Sequence, residues 1–370
     1  MLPQPPLWLI LIAFICALGP LVFFHELGHY LVGRMFRIPA ETFSIGFGHE
    51  ILGWTDKQGT RWKVGWLPLG GYVKFVGDMS PASAPVSEND IPPELRDRVF
   101  QLRPVWQRFL VVLAGPAANF LLAILIFVAF FTAVAAPMSN KVGSVQPKSA
   151  AAAAGLRAGD RILSVDGHET HNFNDMRLAV ENIPDRKASV VFAREGKTRQ
   201  LQVTIGSQVL KDTSGKPVKL GLLGVVPARA SIVEAVPMAV TYTGQITVMM
   251  VKGVARLLTG GGSREEVGGP IKIAQIAGQV ASLGALPFVQ LLALFSINLG
   301  FINLLPVPML DGGHLFFYAV EAVRRRPLSA KALDWAFRGG LAVILALLVF
   351  TTINDLGSLG LWDRLQRLIG

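Results

Sequence analysis

Four runs of this 370-residue chain are long and apolar enough to cross a lipid bilayer, and they leave few folds open. A helix needs about 20 apolar residues to span the hydrocarbon. A single segment in lipid must also satisfy its backbone groups internally, which selects helices. The runs are residues 7–24, continuing as helix to 36; 109–136; 284–310, interrupted by Gln290, Ser296, Asn298 and Asn303; and 339–356, built on LAVILALLVF. Only 16% of residues are charged, against about a quarter in soluble domains. The first run resembles a secretory leader in position, but it has no basic start and leads straight into His25 and Glu26. It is expected to stay as a membrane helix.

The formal charge is +10, from 35 basic and 25 acidic residues. In so apolar a chain the excess fits anionic headgroups. No basic helix or aromatic stacking motif points to nucleic acid. The single cysteine, Cys16, excludes an intrachain disulfide and reads as a small apolar residue. The segment 311–338 carries Arg324, Arg325, Arg326, Lys331 and Arg338, and is expected to be a basic cytoplasmic loop. With four spans, residues 37–108 then share the cytoplasmic side and residues 140–227 lie outside.

Alternating apolar residues around DKQGT make 37–108 a membrane-associated β-segment followed by a loop, with residues 78–97 rich in Pro, Ser and acids. Aromatics such as Trp54, Trp62 and Trp66 suit a membrane interface. Residues 140–227 have ordinary soluble composition. GLRAGDRILSVDG predicts turn, strand and turn; MRLAVEN a helix; SVVFAREGKTRQLQVTI a hairpin turning at REGK; LGLLGVV one last strand. Residues 231–283 predict amphipathic interfacial helices, the mixed stretch 232–258 first among them. A fifth span is the alternative there.

The chemistry concentrates at FFHELGHYL, residues 23–31. Positions four apart share a helix face, so His25 and His29 can grip one metal ion, with Glu26 offset to act as a base on a water beside it. Ionisable residues at membrane depth are costly and seldom idle. A catalytic zinc takes three protein ligands and keeps one position open. Asp311, at the end of the third run, falls on the same side as His25 and His29 and is a suitable third ligand. A helix N-cap is its other reading. His314, three residues on, is a rival or a supporting partner. His49 is the remaining histidine outside the insert, and His168 and His171 belong to the insert across the membrane.

These motifs resemble the bacterial RseP-type site-2 proteases, intramembrane zinc metalloproteases. The resemblance rests on FFHELGHY, on FSIGFG followed by PLGGYVKF, on AGPAANF, on GGPIKIA and on INLGFINLLPVPMLDGGHLFF, in that order. It implies His25, His29 and Asp311 as ligands of Zn2+, Glu26 as the catalytic base and Asn303 as a binder of the substrate backbone. An interhelical hydrogen bond is the other reading of Asn303. Gly115, Pro116 and Asn119 of AGPAANF are expected either to interrupt a helix near the site or to serve close helix packing. GLRAGDRILSVDG and KLGLLGVV resemble one circularly permuted PDZ domain, able to capture a peptide C-terminus or to act as a size filter.

The fold expected is therefore a polytopic α-helical membrane protein of about four spans, with a membrane-associated β-segment and one α+β PDZ-like extramembrane domain. The function expected is hydrolysis of peptide bonds within single-span membrane proteins at the bacterial inner membrane, for example a pre-cleaved anti-sigma factor or signal-peptide remnants. The site would face the cytoplasm, and the PDZ-like domain the periplasm. A non-catalytic PDZ scaffold with a structural metal is the main rival. A metal transporter is another, but it needs polar residues facing one another across several spans.

Overall fold

The computed structural model describes residues 5–77, 96, 98–211, 217–261 and 268–358. Most of the Pro-rich stretch 78–97 lies outside the described residues. In chain order the elements are α1 (Leu7–Met35), β1 (Ala40–Thr55), β2 (Arg61–Phe75), α2 (Val105–Ala133), β3 (Val142–Val145), α3 (Ala150–Ala153), β4 (Arg161–Val165), β5 (His168–Glu169) and α4 (Phe173–Glu181). There follow β6 (Lys187–Arg194), β7 (Lys197–Thr204), β8 (Gly206–Lys211), β9 (Pro217–Leu222), β10 (Val225–Pro227), α5 (Ile232–Leu258), α6 (Pro270–Ser282), α7 (Ala285–Leu304), α8 (Asp311–Arg324) and α9 (Ala330–Ser358). The chain forms two compact units, one holding residues 124–245 and the other residues 4–123 with 246–370. The division falls within α2 and α5.

The second unit carries the site. Helices α1, α2, α7 and α9 are each long and apolar enough to cross a membrane. Their outward faces bear leucines and isoleucines such as Leu11, Ile15, Leu121 and Leu345, all at least half exposed. Water disfavours such surface and lipid accepts it. α1 starts behind Pro6, whose extended backbone suits a helix entry. The β1–β2 hairpin turns where expected. Asp56 accepts the amides of Gln58 (2.8 Å) and Thr60 (3.0 Å) and the indole N–H of Trp62 (2.9 Å). One apolar cluster, including Tyr30, Phe43, Phe75, Val111 and Leu315, ties α1, the hairpin, α2 and α8 together. The amphipathic stretch 232–258 forms one helix with the expected bounds.

Several expectations are corrected. The third run ends as helix at Leu304 rather than 310, because Leu305 precedes Pro306 and is pushed to extended backbone, ψ 140°. Pro308 disfavours helix at Val307 in the same way. The segment 311–338, expected as a loop, is mostly helical, in α8 and the start of α9. Of its basic residues, Arg324, Lys331 and Arg338 sit on helical turns, while Arg325 and Arg326 lie just past the end of α8. α2 runs from Val105 to Ala133 rather than 109 to 136; the Pro104 carbonyl accepts the amides of Gln107 (2.9 Å) and Arg108 (3.2 Å), and Arg108 in the first turn pairs with Glu321 at 2.7 Å. α9 starts before residue 339, with the Ser329 hydroxyl accepting the Ala332 amide (3.3 Å). AGPAANF does not interrupt α2, which runs through Pro116.

In the unit of residues 124–245, the strands β5-β4-β6-β7 form one antiparallel sheet, and β10 pairs with β3. Its core holds Ile162, Val165, Val180, Val190 and Phe192. The β6–β7 turn places Glu195 and Gly196 at positive φ, 53° and 76°, the twist a two-residue hairpin favours. LGLLGVV, expected as one strand, is split between β9 and β10 at Leu223 and Gly224, where Gly224 turns at φ 80°.

Candidate metal centre

His25 and His29 stand one turn apart on α1, both under 10% exposed, with their rings edge to face at 4.9 Å. α1 alone gives them that spacing. The third group comes from the break after α7. Pro306 and Pro308 force the chain out of helix, and Asp311 is the first residue of α8. Its Oδ2 lies 3.1 Å from His25 Nε2 and 3.5 Å from His29 Nε2, and the two Nε2 atoms are 3.3 Å apart. Burial alone would raise the pKa of Asp311, but His29 and His25 beside it more than offset that and hold the carboxyl below the ordinary range.

These three atoms fit a metal. His29 Nδ1 lies 2.8 Å from the carbonyl oxygen of Val111. That oxygen only accepts, so Nδ1 carries the proton and Nε2 is free to present its lone pair. Asp311 Oδ2 is buried with no hydrogen-bond donor despite its close neighbours. Two imidazole lone pairs and a carboxylate oxygen converging on one point call for a cation there. Zinc bonds of about 2.0–2.1 Å in a tetrahedron separate the ligand atoms by about 3.3 Å, which matches the observed triangle. Among the described residues this is the one His, Cys, Asp and Glu group with such a spacing.

Glu26 is 8% exposed and lines the same cavity of about 450 Å³ as His25, His29 and Asp311. The Val73 amide donates to its carboxylate. β2 comes that close because of Gly71, where a Cβ would sit 2.7 Å from a Val22 methyl and 3.0 Å from Glu26 Cγ. Asn303, on the last turn of α7, also lines the cavity, as does His314. His314 packs against the Phe337 ring at 5.2 Å, and burial lowers its pKa. His49, His168 and His171 are exposed and take no part in the triangle.

Three residues of AGPAANF and its approach have parts that the sequence did not reveal. Val111 fixes the His29 tautomer. Gly115 faces the His29 ring so closely that a Cβ would overlap its atoms. Asn119, fully buried, places its amide 3.1 Å from His25 Nδ1. The one signal available was a buried-looking amide in an apolar run, which needs a partner.

Residues 13–347 match peptidase family M50. The chain belongs to that family. Several relatives carry "zinc metalloprotease" in their names. Atu1380 of Agrobacterium fabrum is 42% identical over 361 residues, covering 94% of this chain and 96% of its own. R01501 of Rhizobium meliloti is 43% identical over 361 residues, with 94% and 96% covered. Metalloprotease MmpA of Caulobacter vibrioides is 37% identical over 380 residues, with 94% and 95% covered. The PDZ domain of the SdrC-like protein of Listeria monocytogenes aligns with 24% of this M50 chain and 85% of its own, at 20% identity and TM-score 0.19, too slight a likeness to argue from. Family membership and four apolar helices make this M50 peptidase a multi-pass membrane protein.

Proposed function

We propose that this chain, a zinc metalloendopeptidase, cuts peptide bonds inside the transmembrane segments of single-span membrane proteins. The observation that carries the reading is the convergence of His25 Nε2, His29 Nε2 and Asp311 Oδ2 beside Glu26, on helices whose outer faces are apolar. His25, His29 and Asp311 would hold the zinc. Zinc bound there supplies Lewis acidity, polarising the scissile carbonyl and acidifying water. Glu26 takes the proton of the attacking water and delivers it to the leaving amine. The Val73 amide keeps the Glu26 carboxylate aimed into the cavity.

A peptide bond within a helix is shielded, so the substrate must be extended before it is cut. Two features suit that. β2 pairs only with β1 among the described strands, and its residues Gly70 to Val73 line the cavity. An extended substrate can add to such an edge. Asn303 offers an amide to the substrate backbone at the same place. The PDZ-like unit would capture a C-terminus freed by an earlier cut or exclude large external domains. The basic residues of 311–338, such as Arg324, Arg325 and Arg326, with Arg34 and Arg37 at the end of α1 and Arg103 before α2, favour the cytoplasmic face of a bacterial inner membrane. The substrates that fit are pre-cleaved anti-sigma factors or signal-peptide remnants. A structural zinc usually has four protein ligands, and three here leave a position for chemistry.

The test is cleavage of a single-span substrate in liposomes by the parent and by Glu26→Gln, each with and without a zinc chelator. Cleavage within the span by the parent, lost in both other conditions while Glu26→Gln still binds zinc, is expected. Zinc binding without cleavage of any of several truncated substrates would favour the scaffold reading.

A further inference from the structure

Each ring nitrogen of His25 has a neighbour that constrains it. Nε2 faces Asp311 Oδ2 at 3.1 Å and His29 Nε2 at 3.3 Å. Nδ1 faces the side-chain amide of Asn119 at 3.1 Å, in a fully buried position. A neutral imidazole has one N–H. If Nε2 is to offer its lone pair to a metal, the proton sits on Nδ1, and an N–H there needs an acceptor. The NH₂ end of an amide cannot accept. The oxygen end can, and Asn119 Oδ1 is buried with no donor of its own. The two ends of an amide differ only in their hydrogens and exchange by a half-turn.

We propose that Asn119 is the positioning residue of His25: its Oδ1 accepts the Nδ1 proton and so fixes the tautomer and ring plane that present Nε2 to zinc. The proposal rests on the reading that His25, His29 and Asp311 hold the zinc. Its counterpart at His29 is the Val111 carbonyl, so one helix supplies the acceptors for both imidazoles. Asn119 is itself held in place. The Ser296 hydroxyl of α7 donates to the Asn119 backbone oxygen at 2.7 Å. A Cβ at Gly300 would sit 3.3 Å from Asn119 Cβ, so α7 packs directly on that turn. The helix that leads to Asp311 thus also braces the residue that aims His25.

The experiment measures zinc affinity and the rate of zinc loss to a chelator in the full-length protein in detergent, together with unfolding temperature after metal removal. The variants are Asn119→Leu, Asn119→Asp, Ser296→Ala, His25→Ala and Asp311→Ala. Asn119→Leu, close in size but without an acceptor, should weaken zinc binding by about 10–100-fold. Asn119→Asp keeps an acceptor and should stay within a few-fold of the parent. Ser296→Ala loosens the same helix contact without touching the ring, and should lower the unfolding temperature with little change in zinc affinity. The proposal is overturned if Asn119→Leu binds zinc like the parent, if Asn119→Asp is as weak as Asn119→Leu, or if Ser296→Ala weakens binding as much. If Asn119→Leu does not fold, the Asn119→Asp result decides. Full zinc retention by His25→Ala and Asp311→Ala would sink the ligand reading itself. Their loss of zinc beside an unaffected Asn119→Leu would sink the positioning role alone.

Discussion

Gly115 of α2 lies against the imidazole of His29, and no side chain fits between them. A methyl group there must push the ring away from Val111 and out of the triangle, or push the two helices apart. Gly115→Ala should therefore lower zinc content and cut peptide cleavage by about 100-fold, as misplacements near 1 Å do. Zinc analysis and circular dichroism on the purified variant check it. Full zinc occupancy with parental cleavage would show that the helices yield without cost.

Asn303 shares the cavity with Glu26 and Asp311 but belongs to no ligand triangle. Asn303→Leu should leave zinc content unchanged and slow cleavage by about tenfold, the worth of one hydrogen bond of roughly 1.4 kcal/mol to the substrate. Comparing kcat/KM and zinc content for the two proteins tests this. A loss of zinc instead would place Asn303 in support of the metal.

Asp355, near the end of α9, is 2% exposed and accepts the amides of Gly269 and Lys272, each at 3.0 Å. It caps α6 from another helix, because α6 has no capping side chain of its own. Asp355→Ala should destabilise the protein by about 1–3 kcal/mol, with Asp355→Asn intermediate. Thermal unfolding in detergent reads the order. Equal melting temperatures for all three proteins would remove the cap from the account.

Asp160 is clamped in the unit of residues 124–245 by Arg194, with Nε to Oδ1 and Nη2 to Oδ2 both at 2.7 Å, and by the Arg157 amide at 2.8 Å. Burial alone would raise its pKa, but these donors more than offset that and hold the carboxyl below its ordinary value. A carboxyl depressed on folding stabilises the fold above its unfolded pKa of about 3.9. That stability is lost as pH falls through the folded pKa. The gap in unfolding temperature between the parent and Asp160→Asn should be full near neutral pH and shrink below about pH 4. A gap that is the same at pH 7 and pH 3 would contradict the assignment.

The sequence by itself determined whatever depends on near neighbours in the chain. Apolar runs must become helices in lipid, since nothing else satisfies their backbone. His25 and His29 share a face because four residues make about one turn. DKQGT turns because an aspartate side chain can bond the amides just ahead of it. Helix ends were less legible. Hydropathy ran the third run to residue 310, although Pro306 already forbade it. Hydropathy also left Val105 and Ala330 out of helices whose first turns carry polar residues.

Only the tertiary structure decided what joins residues far apart in sequence. His25 meets Asn119, His29 meets Val111 and Gly115, and Asp355 caps Gly269. None of these pairs has a spacing that local geometry could predict. The split of LGLLGVV at Gly224 also depends on where β3 offers a partner. A motif names the candidate ligands because a helix repeats. Which carbonyl or amide fixes each ring depends on which helix packs beside it, and side-chain volume at positions such as Gly115 sets that packing.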